Sequence, residues 1–140
     1  MRLAQIYILC ILCVVLLAAC ATRPKPPRGV QPVVRSMTTT GYCDCKKCCN
    51  WKRNWLLRPV IASGPSKGQP KEVGITASGT KAKLGTVAAD TNYYPFGTIV
   101  YVPGYGYGRV EDRGSGVKGE HLDLFFKSHK DALQWGRRTV

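Results

Sequence analysis

Acidic side chains are scarce in this sequence. Eight Asp and Glu residues stand against 21 Lys and Arg in 140 residues, a formal charge of +13. Such a balance suits anionic partners: lipid headgroups, nucleic acid or an acidic cell-wall polymer. It also means that any carboxylate chemistry must come from a small set of side chains. Helical periodicity is nearly absent, since one segment alone carries it. No internal repeat is visible, which excludes a solenoid or propeller array. The longest apolar run, Leu3 to Leu17, has about 15 residues, short of the roughly 20 that a membrane-spanning helix needs.

That run is instead expected to be part of a leader. Arg2 supplies a positive start, the apolar core follows, and Leu17-Ala-Ala-Cys20 ends it with small residues. Leu-Ala-Ala-Cys resembles the bacterial lipobox, which implies a signal peptide over 1–19 and a lipid on Cys20. An uncleaved anchor helix is the alternative. Cys10 and Cys13 would leave with the signal. Residues 20–36 hold four prolines and four basic side chains, with little to bury, and read as an extended tether. The expected protein is exported and lipid-anchored to a bacterial membrane. Because Ala21 follows the cysteine, it would face the periplasm from the outer membrane of a two-membrane cell. Export argues against nucleic acid as a partner.

Residues 37–140 form the expected domain, enough for one modest core. Short β-rich runs alternate with glycine and proline: MTTTGYC, GITASG, LGTVAAD, GTIVYVPG, GRVEDR and EHLDLFF. The helical exception is SHKDALQWG, with Ser128 as N-cap, Asp131 in the first turn and Gly136 as the stop. Leu133 shares a face with Lys130 and Arg137, so the helix should be short. The texture is mainly β, a small barrel or sandwich with one or two short helices.

Three aspartates frame the richest part. In HLDLFF, Asp123 alternates with Leu122, Leu124 and Phe126, which places it on the face of His121 and Phe125. An acid between large apolar neighbours is expected to be desolvated, with a raised pKa, as a general acid requires. Asp112 closes a strand and opens the loop RGSGVKG. Asp90 closes LGTVAAD ahead of a turn. Taken singly, Asp90 and Asp112 read first as turn-forming aspartates.

Taken together, Gly74 to about Arg138 resembles the three-aspartate (3D) domain. This module is shared by the membrane-bound lytic transglycosylases of type A and by smaller stationary-phase-survival proteins. The resemblance rests on ITASG, an aspartate before Pro95-Phe-Gly-Thr98, the Gly-Tyr-Gly hairpin, Glu111-Asp112 followed by glycines and Lys118-Gly119, Leu122-Asp123, and a helix ending in Trp135-Gly136. It implies a six-stranded double-psi β-barrel with the aspartates in a surface groove. The implied activity is lytic cleavage of the β-1,4 bond between N-acetylmuramic acid and N-acetylglucosamine in peptidoglycan, leaving a 1,6-anhydro end. A non-catalytic peptidoglycan-binding module using the same groove is the alternative. Asp123 takes the acid/base role, with Asp112 and Asp90 in support. Thr76, Ser78 and Lys118 are candidates to hydrogen-bond sugar or carboxylates, and Tyr105 and Tyr107 to stack on sugar faces or pack the strands. Arg113 stands where the family usually has threonine. The larger transglycosylases also carry a second domain as the other groove wall, for which residues 37–140 lack the length.

Finally, YCDCKKCCNW gathers Cys43, Cys45, Cys48 and Cys49 within seven residues. In an exported protein two local disulfides are the expectation. Four cysteines allow three pairings. The alternatives are a zinc site, although its thiolates usually come from two separated loops, and a redox site whose thiols are acidified by Lys46, Lys47, Lys52 and Arg53. No other cofactor is implied.

Overall fold

The computed structural model describes residues 23–140. Cys20 and the leader therefore lie outside the described residues. Among those described, no helix is long and apolar enough to cross a membrane. Residues 25–36 are exposed throughout, as a tether composition requires.

The domain is mainly β. The strands are β1 (Thr38–Tyr42), β2 (Trp51–Arg53), β3 (Pro59–Ile61), β4 (Thr86–Ala89), β5 (Ile99–Val102), β6 (Gly106–Asp112), β7 (His121–Phe125) and β8 (Arg138–Thr139), with two short helices, α1 (Lys46–Cys49) and α2 (His129–Trp135). Six strands form one curled, half-barrel sheet in the order β5-β6-β4-β7-β1-β8. β1 runs parallel to β7 and β4 parallel to β6, while the other neighbours are antiparallel. The six-strand count matches the barrel expectation. β2 and β3 form a separate hairpin, with one further bridge from Val60 of β3 to Pro70.

The alternation in β7 decides which face is which. Leu122 and Leu124 are buried at 2% and 0% exposure and pack with Val87, Val110, Tyr105 and Trp135 in the main core. The odd positions face the other way. There Phe125 packs with Tyr42 and Ala88 in a second, smaller cluster, the Tyr42 and Phe125 rings meeting edge-on at 5.5 Å.

Helix α2 starts and stops as its sequence dictates. The Ser128 hydroxyl accepts from the Asp131 amide at 3.1 Å, and the Gly136 amide donates to the Ala132 carbonyl. Ala132 and Trp135 are its buried face, and Leu133 is exposed. The helix lies close on β1 because Gly41 has no side chain: a Cβ there would stand 2.8 Å from the Ala132 carbonyl oxygen.

Two readings are corrected. GITASG is not a strand but a turn, held by Thr76 N–H to Thr80 O at 2.8 Å and Gly79 N–H to Thr76 O at 3.0 Å, with one isolated bridge between Ile75 and Lys81. Tyr105 is not on the surface. It is 4% exposed, its hydroxyl donates to the Phe125 carbonyl at 2.8 Å, and it accepts from the Gly85 amide at 3.0 Å. Burial of its ring in the core rules it out for stacking on a sugar. Tyr107 instead packs edge-on against Tyr101 across the β5–β6 hairpin.

Candidate functional site

The sheet register builds a row across four strands. Asp112 of β6 pairs with Ala88 of β4, Ala88 with Asp123 of β7, and Asp123 with Thr40 of β1. Residues in register point to one side, so the row lies on the face opposite the main core. Asp112 and Asp123 are two strands apart, about 9–10 Å between Cα atoms at the usual spacing. Ala88 between them is buried in the Tyr42–Phe125 cluster on that face.

Asp123 is half-buried, and its pKa is raised. Desolvation among its apolar neighbours is the main cause, and the Asp112 charge adds to it. The Thr40 hydroxyl, which donates to Asp123 Oδ1 at 2.7 Å, and the charge of His121 oppose the shift without cancelling it. His121 Nε2 lies 2.9 Å from the same Thr40 oxygen. With Thr40's single proton committed to a carboxylate, Nε2 must be the donor. The result is a chain from imidazole to hydroxyl to carboxylate.

Asp112 is fixed differently. Oδ2 accepts from the Tyr42 hydroxyl at 3.0 Å, and Oδ1 accepts from the amides of Ala77 at 3.0 Å and Arg113 at 2.9 Å. Burial and the Asp112 carboxylate together hold Tyr42 in its phenol form, with its pKa pushed far up. Asp112, Tyr42, Thr76, Arg113, Cys48 and Lys71 are among the residues around a concavity of about 420 Å³. Phe125 and Ile75 add apolar wall.

Asp90 belongs to a neighbouring concavity, with Asn92, Lys118, Arg113 and Ser115. Arg113 and Ser115 border both hollows. The Asp90 carboxylate accepts from the Gly119 amide at 3.1 Å and the Asn92 amide at 3.2 Å, and these bonds lower its pKa. It pins the glycine loop, whose Gly119 has φ +59°, back onto the end of β4. The three aspartates therefore do not share one hollow: Asp112 and Asp123 share a row, and Asp90 anchors the loop beside it.

The other sequence candidates divide. Thr76 borders the Asp112 hollow but is buried, its hydroxyl grouped with those of Ser78 and Thr80 at 3.1 and 2.9 Å. Ser78 is exposed, and its amide ties to the Glu111 carbonyl. Lys118 sits at the Asp90 hollow, away from Asp112. Arg113 is exposed and makes no ion pair with Asp112 among the described residues. It is not a cause of the Asp123 shift. Thr40, Tyr42 and His121 were not singled out from sequence. The alternation of TTTGY puts Thr40 and Tyr42 on one face of a strand, and that of HLDLFF puts His121 on the face of Asp123.

The cysteine cluster also departs from expectation. Cys43, Cys45, Cys48 and Cys49 are free thiols, not two local disulfides. Cys43 and Cys48 stand 3.7 Å apart, sulfur to sulfur, because both turn toward His129, a partner absent from the sequence reading. Burial pushes Cys43 and Cys49 up to about 12, whereas at Cys45 hydrogen bonds, those from backbone amides foremost, outweigh desolvation and lower the thiol.

Two relatives match about half of the chain. YabE of Bacillus subtilis (strain 168), described as cell wall shaping, is 41% identical over 71 residues, covering 48% of this chain and 17% of the relative. The cell wall-binding protein YocH of the same organism is 41% identical over 73 residues, covering 48% of this chain and 25% of the relative. The chain thus spans a quarter or less of either relative. Residues 85–140, which carry Asp90, Asp112 and Asp123, match the family model of the 3D domain.

Proposed function

We propose that the domain acts on peptidoglycan as a lytic transglycosylase, with Asp123 as its single acid and base. The observation that carries this reading is the raised pKa of Asp123, half-buried in a row with Asp112 and linked through Thr40 to His121. A carboxyl whose pKa is raised holds its proton more firmly and can give it to the glycosidic oxygen as the bond to the anomeric carbon breaks. The carboxylate left behind takes the proton of the muramoyl 6-hydroxyl, whose oxygen closes on the anomeric carbon as the 1,6-anhydro ring. No water is consumed, so the second carboxylate need not activate one, in contrast to an inverting glycosidase. Asp112, held by three donors, acts as a fixed negative charge that keeps the Asp123 proton in place. Arg113, exposed between the two hollows, is placed to meet carboxylates of the wall polymer. The strongly basic chain suits the same partner.

A second reading, a non-catalytic wall-binding lipoprotein, is favoured by one specific observation. Asp123 is not among the residues around either hollow. The name of YocH describes a binding protein.

The deciding experiment incubates purified peptidoglycan with the protein and with Asp123→Asn, followed by mass spectrometry. Release of anhydro-muropeptides by the wild type, reduced about 10²–10⁴-fold in the variant, is the expected result. Unaltered glycan that co-sediments equally with both proteins would establish the binder instead. Anhydro ends released at equal rates by both would move the acid elsewhere.

A further inference from the structure

The thiols of Cys43, Cys45 and Cys48 converge on one imidazole. Their sulfurs and a ring nitrogen of His129 all lie within 4.8 Å of one another. Two distant parts of the chain make this cluster. Cys43 follows β1 and Cys48 lies in α1, whereas His129 opens α2, which the Gly41–Ala132 contact holds against β1.

The separations have a pattern. His129 Nδ1 lies 3.3 Å from Cys48 Sγ, 3.6 Å from Cys45 Sγ and 4.0 Å from Cys43 Sγ, and the Cys43 and Cys48 sulfurs are 3.7 Å apart. Zinc bonds of about 2.3 Å to sulfur and 2.0–2.1 Å to imidazole nitrogen give tetrahedral edges of about 3.8 Å between sulfurs and 3.6 Å from sulfur to nitrogen. The sulfur–nitrogen distances bracket 3.6 Å, and the Cys43–Cys48 separation lies close to 3.8 Å. Hydrogen bonding does not account for the arrangement, because one ring nitrogen offers one proton or one lone pair, not three. Cys49 stands apart, its thiol donating to the Cys43 carbonyl at 3.1 Å.

We propose that Cys43, Cys45, Cys48 and His129 Nδ1 bind a zinc ion in a closed, structural Cys₃His site. Binding expels the three thiol protons to solvent and takes the imidazole in its neutral form, so the bound site carries one net negative charge. Lys46 and Lys47, adjacent in α1, suit that charge. Protein fills all four positions, which leaves no open place for substrate or an activated water. The ion acts as a clamp between the β1–α1 loop and the start of α2. Cys48 also borders the Asp112 hollow, so the clamp fixes one wall of it. The proposal is independent of whether the aspartate row cleaves glycan.

The test uses the full chain, purified in detergent with its thiols reduced. Metal content is measured by mass spectrometry, and cobalt(II) is substituted for zinc. One zinc per chain is expected, with cobalt giving thiolate charge-transfer bands and the intense visible absorption of a tetrahedral site. His129→Gln and Cys45→Ser, at half-buried positions, should lose the metal and keep the wild-type circular dichroism. Cys49→Ser should retain it. A folded, reduced wild type that takes up no zinc, or an unchanged stoichiometry in His129→Gln, overturns the site. So does a protein matured in the presence of zinc whose intact mass shows the four thiols oxidised to two disulfides.

Discussion

Replacing Tyr42 by Phe isolates the bond that holds Asp112. Tyr42 is 7% exposed, its ring rests edge-on against Phe125, and its hydroxyl donates to Asp112 Oδ2 at 3.0 Å. Phe keeps the ring contact and removes only the donor. A hydrogen bond to a charged group contributes about 1.5–3 kcal/mol. Asp112 retains the amides of Ala77 and Arg113 on its other oxygen and borders a hollow, so the lower part of that range applies, about 1.5–2 kcal/mol. For a domain of this size about 4 °C of Tm accompanies each kcal/mol, which predicts a fall of about 6–8 °C. Thermal and urea unfolding followed by tryptophan fluorescence reads the loss. A cycle with Asp112→Ala reads the coupling, expected to be at least about 1 kcal/mol. A Tyr42→Phe protein within about 0.5 kcal/mol of wild type, or strict additivity with Asp112→Ala, would refute the view that the phenol fixes this carboxylate.

The other expectations concern Asp123, the α2 contact and the anchor. Asp123 has a raised pKa when folded, so the native state holds its proton more tightly than the unfolded chain; stability is lost as pH rises from the unfolded value of about 3.9 through the folded one. Asp123→Asn should therefore gain Tm relative to wild type between acid and neutral pH, and a gain that shrinks with rising pH would contradict the desolvated acid. Gly41→Ala forces a Cβ against the Ala132 carbonyl oxygen at 2.8 Å and should cost about 1–3 kcal/mol in urea unfolding, since backbone rather than a side-chain tip must move. Cys20→Ser should release the protein from the membrane fraction; unchanged fractionation, with no acyl mass on the wild type, would sink the anchor.

The strands that alternate cleanly were legible before the structure. Leu122 and Leu124 against Asp123 gave β7 and its two faces, and Ser128 with Gly136 gave the ends of α2. What could not be read was partnership across the chain. Alternation assigns a side chain to a face but not to a neighbour, so Thr40 beside Asp123 and His129 beside three cysteines were invisible at separations of 83 and 81–86 residues. Of the two roles open to Tyr105, stacking and packing, the sequence could not choose for a related reason. The Gly104-Tyr105-Gly106 turn, with φ +79° and +95° at its glycines, swings the ring inward, a rotation that residue type alone does not specify. ITASG has strand composition, yet hydroxyl bonds within Thr76, Ser78 and Thr80 close it into a turn.

β1 lies between β7 and β8, joined to each by pairs that run from residue 38 to residues 121 and 139. The first strand of the domain thus has no partner until the last ones have been made. Contacts of such span slow folding, because the loop must close before pairing rewards it. On a ribosome, residues 37–42 must wait as extended chain until the C-terminal residues have emerged, exposing Met37 and Tyr42 meanwhile. A fragment cut at residue 85, where the family match begins, would leave β7 with a bare edge and Trp135 without its Thr39 partner. The smallest piece that closes its own sheet begins with β1, some fifty residues upstream of that boundary.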